Sequence, residues 1–168
     1  MSGPVADAPA LLDRLASTPP PALLATHVQP PLAEHAASGL DLILEGFLLH
    51  HGRSRVFDGT DPSPRVLAGD YCYAEGLVRV ATSGDLFVIE ALADLIALSA
   101  SLVAMDRRDV LGSLWATTVE MIARSDDRRQ AAFLAAKDGF RAASDANGLL
   151  ALGHEFALTG ELELLMRQ

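Results

Sequence analysis

Between residues 40 and 48, the apolar side chains Leu40, Ile43, Leu44, Phe47 and Leu48 recur at intervals of three and four. That spacing lines one side of a helix with a wide buried stripe and is useless to a strand. A similar rhythm returns along most of the chain. No period-two alternation runs beyond a few residues, and no segment repeats at a fixed spacing. The expected fold class is therefore all-α. Composition agrees: 50% of the residues are hydrophobic but only 5% are aromatic, which leaves Leu, Ala and Val to build the core.

Breaker residues divide these helices. The stretch TPPPALLATHVQPP loses a backbone donor at each proline and turns the preceding residue away from helix. Residues 1–31 accordingly read as a proline-rich connecting arm with a short helix over 10–17, and residues 32–168 as a single helical domain. Helices are expected over 32–51, 65–82, 86–105, 110–124, 127–143, 148–158 and 161–167. The third of these is apolar around most of its circumference and is expected to be central. HGRSRVFDGTDPSPR reads as a loop of about 12 to 15 residues, long enough for a functional segment. Gly84 is expected to make a C-terminal turn, Asp85 to cap the next helix, and Ser125 and Asp126 to cap the helix after them.

Thirteen Lys and Arg against 22 Asp and Glu give a formal charge of −9. Nucleic-acid and anionic-membrane surfaces need clustered cations, so neither partner is expected. Cys72, the single cysteine, allows no intramolecular disulfide and fits a reducing compartment. The first ten residues lack a basic segment followed by an apolar run, and a cytoplasmic protein is expected. The most apolar window, 86–105, is interrupted by Glu90 and Asp94, so no integral membrane span is expected.

Few residues offer chemistry. His50 and His51 are adjacent, and neighbouring helical side chains point about 100° apart, so both cannot ligate one metal without distorting the helix end. His51 has Glu45 or Asp58 as its only candidate co-ligands, and no metal or cofactor is expected. Cys72 lies in an apolar helix without a second cysteine or an evident cationic neighbour, which favours an inert thiol. Neither a nucleophile elbow nor a zinc-protease pair is present, and no catalytic residue is assigned. Arg53, Arg55 and Arg65 make the loop locally basic, and guanidinium groups grip phosphate in bidentate fashion. Tyr71 and Tyr73 point to different faces of their helix. Gly69 and Gly76 sit on an Ala-rich helix, where a glycine costs about 1 kcal/mol and is retained for a close helix neighbour.

The run VLAGDYCYAEGLVRVATSGD, residues 66–85, resembles the helix that follows the first aspartate-rich motif of the trans-isoprenyl diphosphate synthases, through its Leu-x-Gly-Asp-Tyr pattern. LDLILEGFLLHHGRSRVFDG is similar to that family's motif helix, with Leu49-His50 at its apolar-His step. The resemblance spans residues 42–77 and is most specific over 67–73. Where the family carries magnesium-binding aspartates, this chain has His51, Gly52 and Arg55, and no second aspartate-rich motif follows residue 110. The context of Lys137, AAKDGF, is too loose to carry over a diphosphate-contacting lysine.

The resemblance implies an isoprenoid-synthase-like helical bundle truncated to about half of the family's length. It further implies a pseudoenzyme similar to the short, motif-less regulatory subunit of heterodimeric long-chain prenyl diphosphate synthases. Such a subunit, inactive alone, would pair with a catalytic prenyl diphosphate synthase, or with itself as a homodimer, and help set activity or product length in isoprenoid biosynthesis. By that analogy Gly69, Tyr73, Gly76, Leu77 and Val80 are the interface candidates. His50, His51, Arg53, Arg55, Arg65, Asp70 and Tyr71 are the binding candidates, with a prenyl diphosphate as ligand. An alternative is a stand-alone helical module that holds a prenyl or other lipid-like ligand. A metal-independent enzyme using His50 or His51 as base ranks last, because the sequence places no carboxylate to orient either ring.

Overall fold

The structure, a computed structural model, describes residues 8–57, 62–124 and 126–167. Those residues form helices and turns without a strand, in agreement with the all-α expectation. They gather into two compact units divided after Leu86, and the first takes in the described residues of the arm.

The first unit contains α1 (Ala8–Ser17), α2 (Ala25–Val28), α3 (Glu34–His51) and α4 (Pro62–Ala81). Every residue of α3 from Gly39 to Leu49 is buried, including Asp41 and Glu45, so this helix is the axis of the unit. α4 lies along it and starts at Pro62, three residues before the expected start, as a proline can in a first helical turn. Gly84 takes a positive φ of 68° in the turn after α4.

The proline-rich arm is more than a connection. Leu15, Leu24, Ala25 and Val28 are buried, and the Asp41 carboxylate accepts backbone N–H bonds from Leu23, Leu24 and Ala25 at 3.0, 3.2 and 2.9 Å. A segment with few donors of its own is thus held by an acid on α3. The prolines correctly exclude a long helix, but the sequence does not show that an acid lies 16 to 18 residues further on to receive the remaining N–H groups.

The second unit comprises α5 (Leu86–Ala104), a 3₁₀ turn (Arg108–Val110), α6 (Leu111–Arg124), α7 (Asp127–Ala143), α8 (Asn147–Gly153) and α9 (Leu158–Met166). α5 is not the central helix that its apolar circumference implies. Only one face is buried, through Val88, Ala91, Leu92, Leu95, Leu98, Ser99 and Leu102, while Leu86 is 78% exposed. Alanine at 93, 97, 100 and 104 makes the outer face tolerable in water. By length and composition α5 also meets the requirement for a membrane span, a test that core helices of soluble proteins pass as well.

The centre of this unit is α6, buried continuously from Leu111 to Val119. Gly112 admits α9 at the Thr159 carbonyl, Gly153 admits α8 at Ser113, and the Trp115 indole N–H donates to Ser99 Oγ at 2.9 Å. α8 ends at Gly153, short of the expected residue 158, and α9 begins at Leu158. Asp126 caps α7 by accepting from Arg129 N at 2.8 Å, as expected, while Ser125 lies outside the described residues. Lys137 is buried, with Nζ 2.6 Å from Asp94 Oδ2 and 4.8 Å from the centre of the Phe133 ring.

Candidate functional site

The residues singled out by sequence converge where α4 crosses α3. Gly39 and Gly46 on α3, and Gly69 and Gly76 on α4, are each seven residues apart, about two helical turns. A Cβ on Gly39 would lie 2.5 Å from the Gly76 carbonyl oxygen, and one on Gly76 would lie 2.7 Å from the Gly39 oxygen. At the other end, a Cβ on Gly46 would meet the Tyr73 ring at 2.8 Å and one on Gly69 would meet His50 Nε2 at 2.6 Å. Two backbones in contact leave no room for side chains at these four positions.

The interface candidates pack within the chain in this crossing. Gly69, Gly76 and Val80 are buried, and the α3 backbone and side chains occupy the space in front of them. Tyr73 lies over Gly46, and Leu77 is half-buried. Their helix neighbour is α3 of the same chain. The missed signal is the matching glycine pair on α3, which supplies the close partner that Gly69 and Gly76 require. The outward face of α4 instead carries Leu67 and Val78, 48% and 63% exposed, with Ala74 between them and Val66 alongside at 50%.

His50 sits under Gly69 with its ring stacked on Tyr73 at 5.3 Å and 10°. Its Nε2 is 3.1 Å from Asp70 Oδ1. The direction is wrong for a hydrogen bond, so Nε2 has no hydrogen-bond partner among the described residues. A carboxylate therefore does stand beside His50, which the sequence did not reveal. Burial, followed by the nearby Asp70 charge, raises the Tyr73 hydroxyl well above the ordinary tyrosine value. The His51 ring is 5.2 Å from Phe47 and 5.8 Å from His50. Among the described residues no three His, Cys, Asp or Glu side chains come together as a metal site; Asp58 lies outside them.

Arg55 and Arg65 are committed to the fold. Arg55 Nε donates to Glu45 Oε2 at 3.1 Å, Nη1 to Asp41 Oδ1 and the Pro21 carbonyl at 3.3 and 3.0 Å, and Nη2 to the Asp41 carbonyl at 2.9 Å. Ser54 Oγ completes Glu45 by donating to Oε1 at 2.5 Å. Two buried carboxylates are thereby matched by one forked cation and several neutral donors. Arg65 Nη2 donates to the Leu49 and Gly52 carbonyls at 3.1 and 2.7 Å, satisfying the C-terminal end of α3. Arg53 is exposed. Asp41 and Ser54 are the participants that sequence reasoning missed, and Glu45, considered there only beside His51, joins Ser54 and Arg55 instead; an acid pair at i and i+4 on an apolar helix, followed by Ser-Arg, is the pattern that could have found them.

Asp70 is largely exposed, and Tyr71 packs against a buried cluster of Leu15, Leu42, Leu49, Phe57, Ala68 and Cys72. Burial, with Glu45 adding to it, pushes the Cys72 thiol up to about 12, so the sulfur is held as an unreactive thiol. A hollow of about 120 Å³ opens between Leu49, His50, Arg65 and Val66. What the crossing offers is a closely packed helix pair whose outer face carries Leu67, Ala74 and Val78 beside the exposed Asp70. The chain matches no family model, no characterised protein and no solved structure.

Proposed function

We propose that the chain is a non-catalytic helical subunit of isoprenoid-synthase-like fold that pairs with a catalytic prenyl diphosphate synthase in the cytoplasm and influences its activity or product length. The observation that carries this reading is the outer face of α4. The helix that resembles the synthase family turns Leu67, Ala74 and Val78 to solvent, with the exposed Asp70 among them, while its glycines are used against α3. Large apolar side chains aligned on one exposed helix face are the material of a protein interface. The engagement of Arg55 and Arg65 by internal acceptors makes a scaffolding role more consistent with this unit than direct capture of a prenyl diphosphate.

The test is reconstitution with a catalytic synthase from the same source, with complex mass and prenyl-transfer products as readouts. A stoichiometric complex should form and should weaken at least about tenfold with Val78→Asp, a polar insertion into an apolar contact. A synthase whose mass, rate and products are unchanged by the chain would refute the reading.

One observation favours the alternative of a module for a lipid-like ligand. In the second unit a cleft of about 400 Å³ has Met121, Ala132, Leu152 and Phe156 as apolar lining, and Arg128 and Arg129 with Asp126 and Glu155 as its charged residues. That volume is within the usual range of small-molecule sites. Thermal stabilisation by farnesyl diphosphate, lost on Arg128→Ala with Arg129→Ala, would support this reading instead.

A further inference from the structure

α1 packs chiefly against α4. It is ten residues long, below the length at which an isolated helix holds itself in water. Leu15 is its deepest described side chain, seated among Leu42 and Leu49 of α3, Phe57 of the following loop, and Ala68 and Cys72 of α4. Arg14 lies over the Phe57 ring at 5.0 Å. The helix closes at Ser17 and Thr18, and Pro19, Pro20 and Pro21 then separate it from the Asp41 anchor that begins at Leu23. Pro20 is buried and the Pro21 carbonyl accepts from Arg55, so the prolines belong to the anchored segment, and the exposed Ser17 and Thr18 form the joint between it and α1.

We propose that α1 is a detachable cover occupying, in cis, an apolar helix-binding groove formed by α3, α4 and Phe57, and that the groove's occupant in trans is α1 of a second copy. The groove is already shaped to α1, so exchange between copies requires no new contact surface, only rotation at the exposed Ser17 and Thr18. Release of α1 uncovers Cys72 while the anchor at Asp41, the Arg55 cluster and the glycine crossing stay in place. This opening is local, below global unfolding in free energy. It is independent of pairing through the outer face of α4.

The test uses the full chain and Cys72 as reporter. Modification of the thiol by an aromatic disulfide should proceed in the wild type at a rate insensitive to urea well below the unfolding transition. Leu15→Asp should accelerate it at least about tenfold while retaining its helical circular dichroism. A fluorescein-labelled peptide of residues 8–22 should bind the Leu15→Asp protein at least about tenfold more tightly than the wild type, whose own α1 competes at high effective concentration. The bound peptide should also protect Cys72. If Leu15→Asp loses its helical signal, Leu15→Ala is the variant to read, with the same direction expected. Labelling that follows the global urea transition in both proteins, or a peptide that fails to protect Cys72, would overturn the proposal.

Discussion

Arg55 shows how much one side chain can hold. Its guanidinium joins Asp41, Glu45 and the Pro21 carbonyl, so Arg55→Met leaves two buried carboxylates without their counter-ion. The expected loss is about 3 to 5 kcal/mol in urea unfolding, with Arg55→Lys recovering only part because an ammonium lacks the fork. The crossing glycines separate by what they meet. Gly39→Ala drives a Cβ against the Gly76 carbonyl, which cannot move unless the helices part, whereas Gly69→Ala meets a His50 ring that can turn away. Both should destabilise, Gly39→Ala by about 1 to 3 kcal/mol and Gly69→Ala by less; adding His50→Ala to Gly69→Ala should restore part of the loss in melting temperature. Asp94 gives a pH signature. Burial alone would raise its pKa, but hydrogen bonds from Lys137 and Arg141 outweigh that and hold it below the usual carboxylate value. The unfolded chain therefore takes up this proton at higher pH than the folded one. Its stabilisation is complete above the ordinary aspartate pKa of about 3.9 and fades as pH falls toward the lower folded value. Asp94→Asn should flatten that acid limb in unfolding measured across the same range.

At the scale of elements, the outer face of α4 carries the contrast between folding and association. Val78 is 63% exposed, so Val78→Asp should change the stability of the isolated chain by no more than about 0.5 kcal/mol while disrupting a partner contact. The helices themselves were legible because apolar side chains at intervals of three and four, glycine turns and the Asp126 cap are local signals. Which face each helix presents was less legible. Gly69 and Gly76 announce a close neighbour but do not name it; only the paired Gly39 and Gly46 identify α3. For the same reason α5 reads as central from its composition, although burial reaches only one side of it and belongs continuously to α6. Arg55 was legible as part of a basic loop but not as internally consumed, because nothing local shows that folding brings Ser54 and Arg55 over Asp41 and Glu45.

On the scale of the whole molecule, two units with separate cores come from a chain whose sequence shows no composition break between them. A boundary of that kind is set by which helices pack together, and the turn at Gly84 looks like any other helix stop. The N-terminal limit of the first unit is likewise a matter of charge rather than of prolines. Asp41 has three of its hydrogen bonds from residues 23–25, and Arg55 reaches back to Pro21. A chain shortened to start at residue 32 would therefore lose three donors to Asp41 and keep only the one from Arg55, and should unfold at lower urea by circular dichroism than a chain starting at residue 18. The arm, in this respect, is the solvent of Asp41.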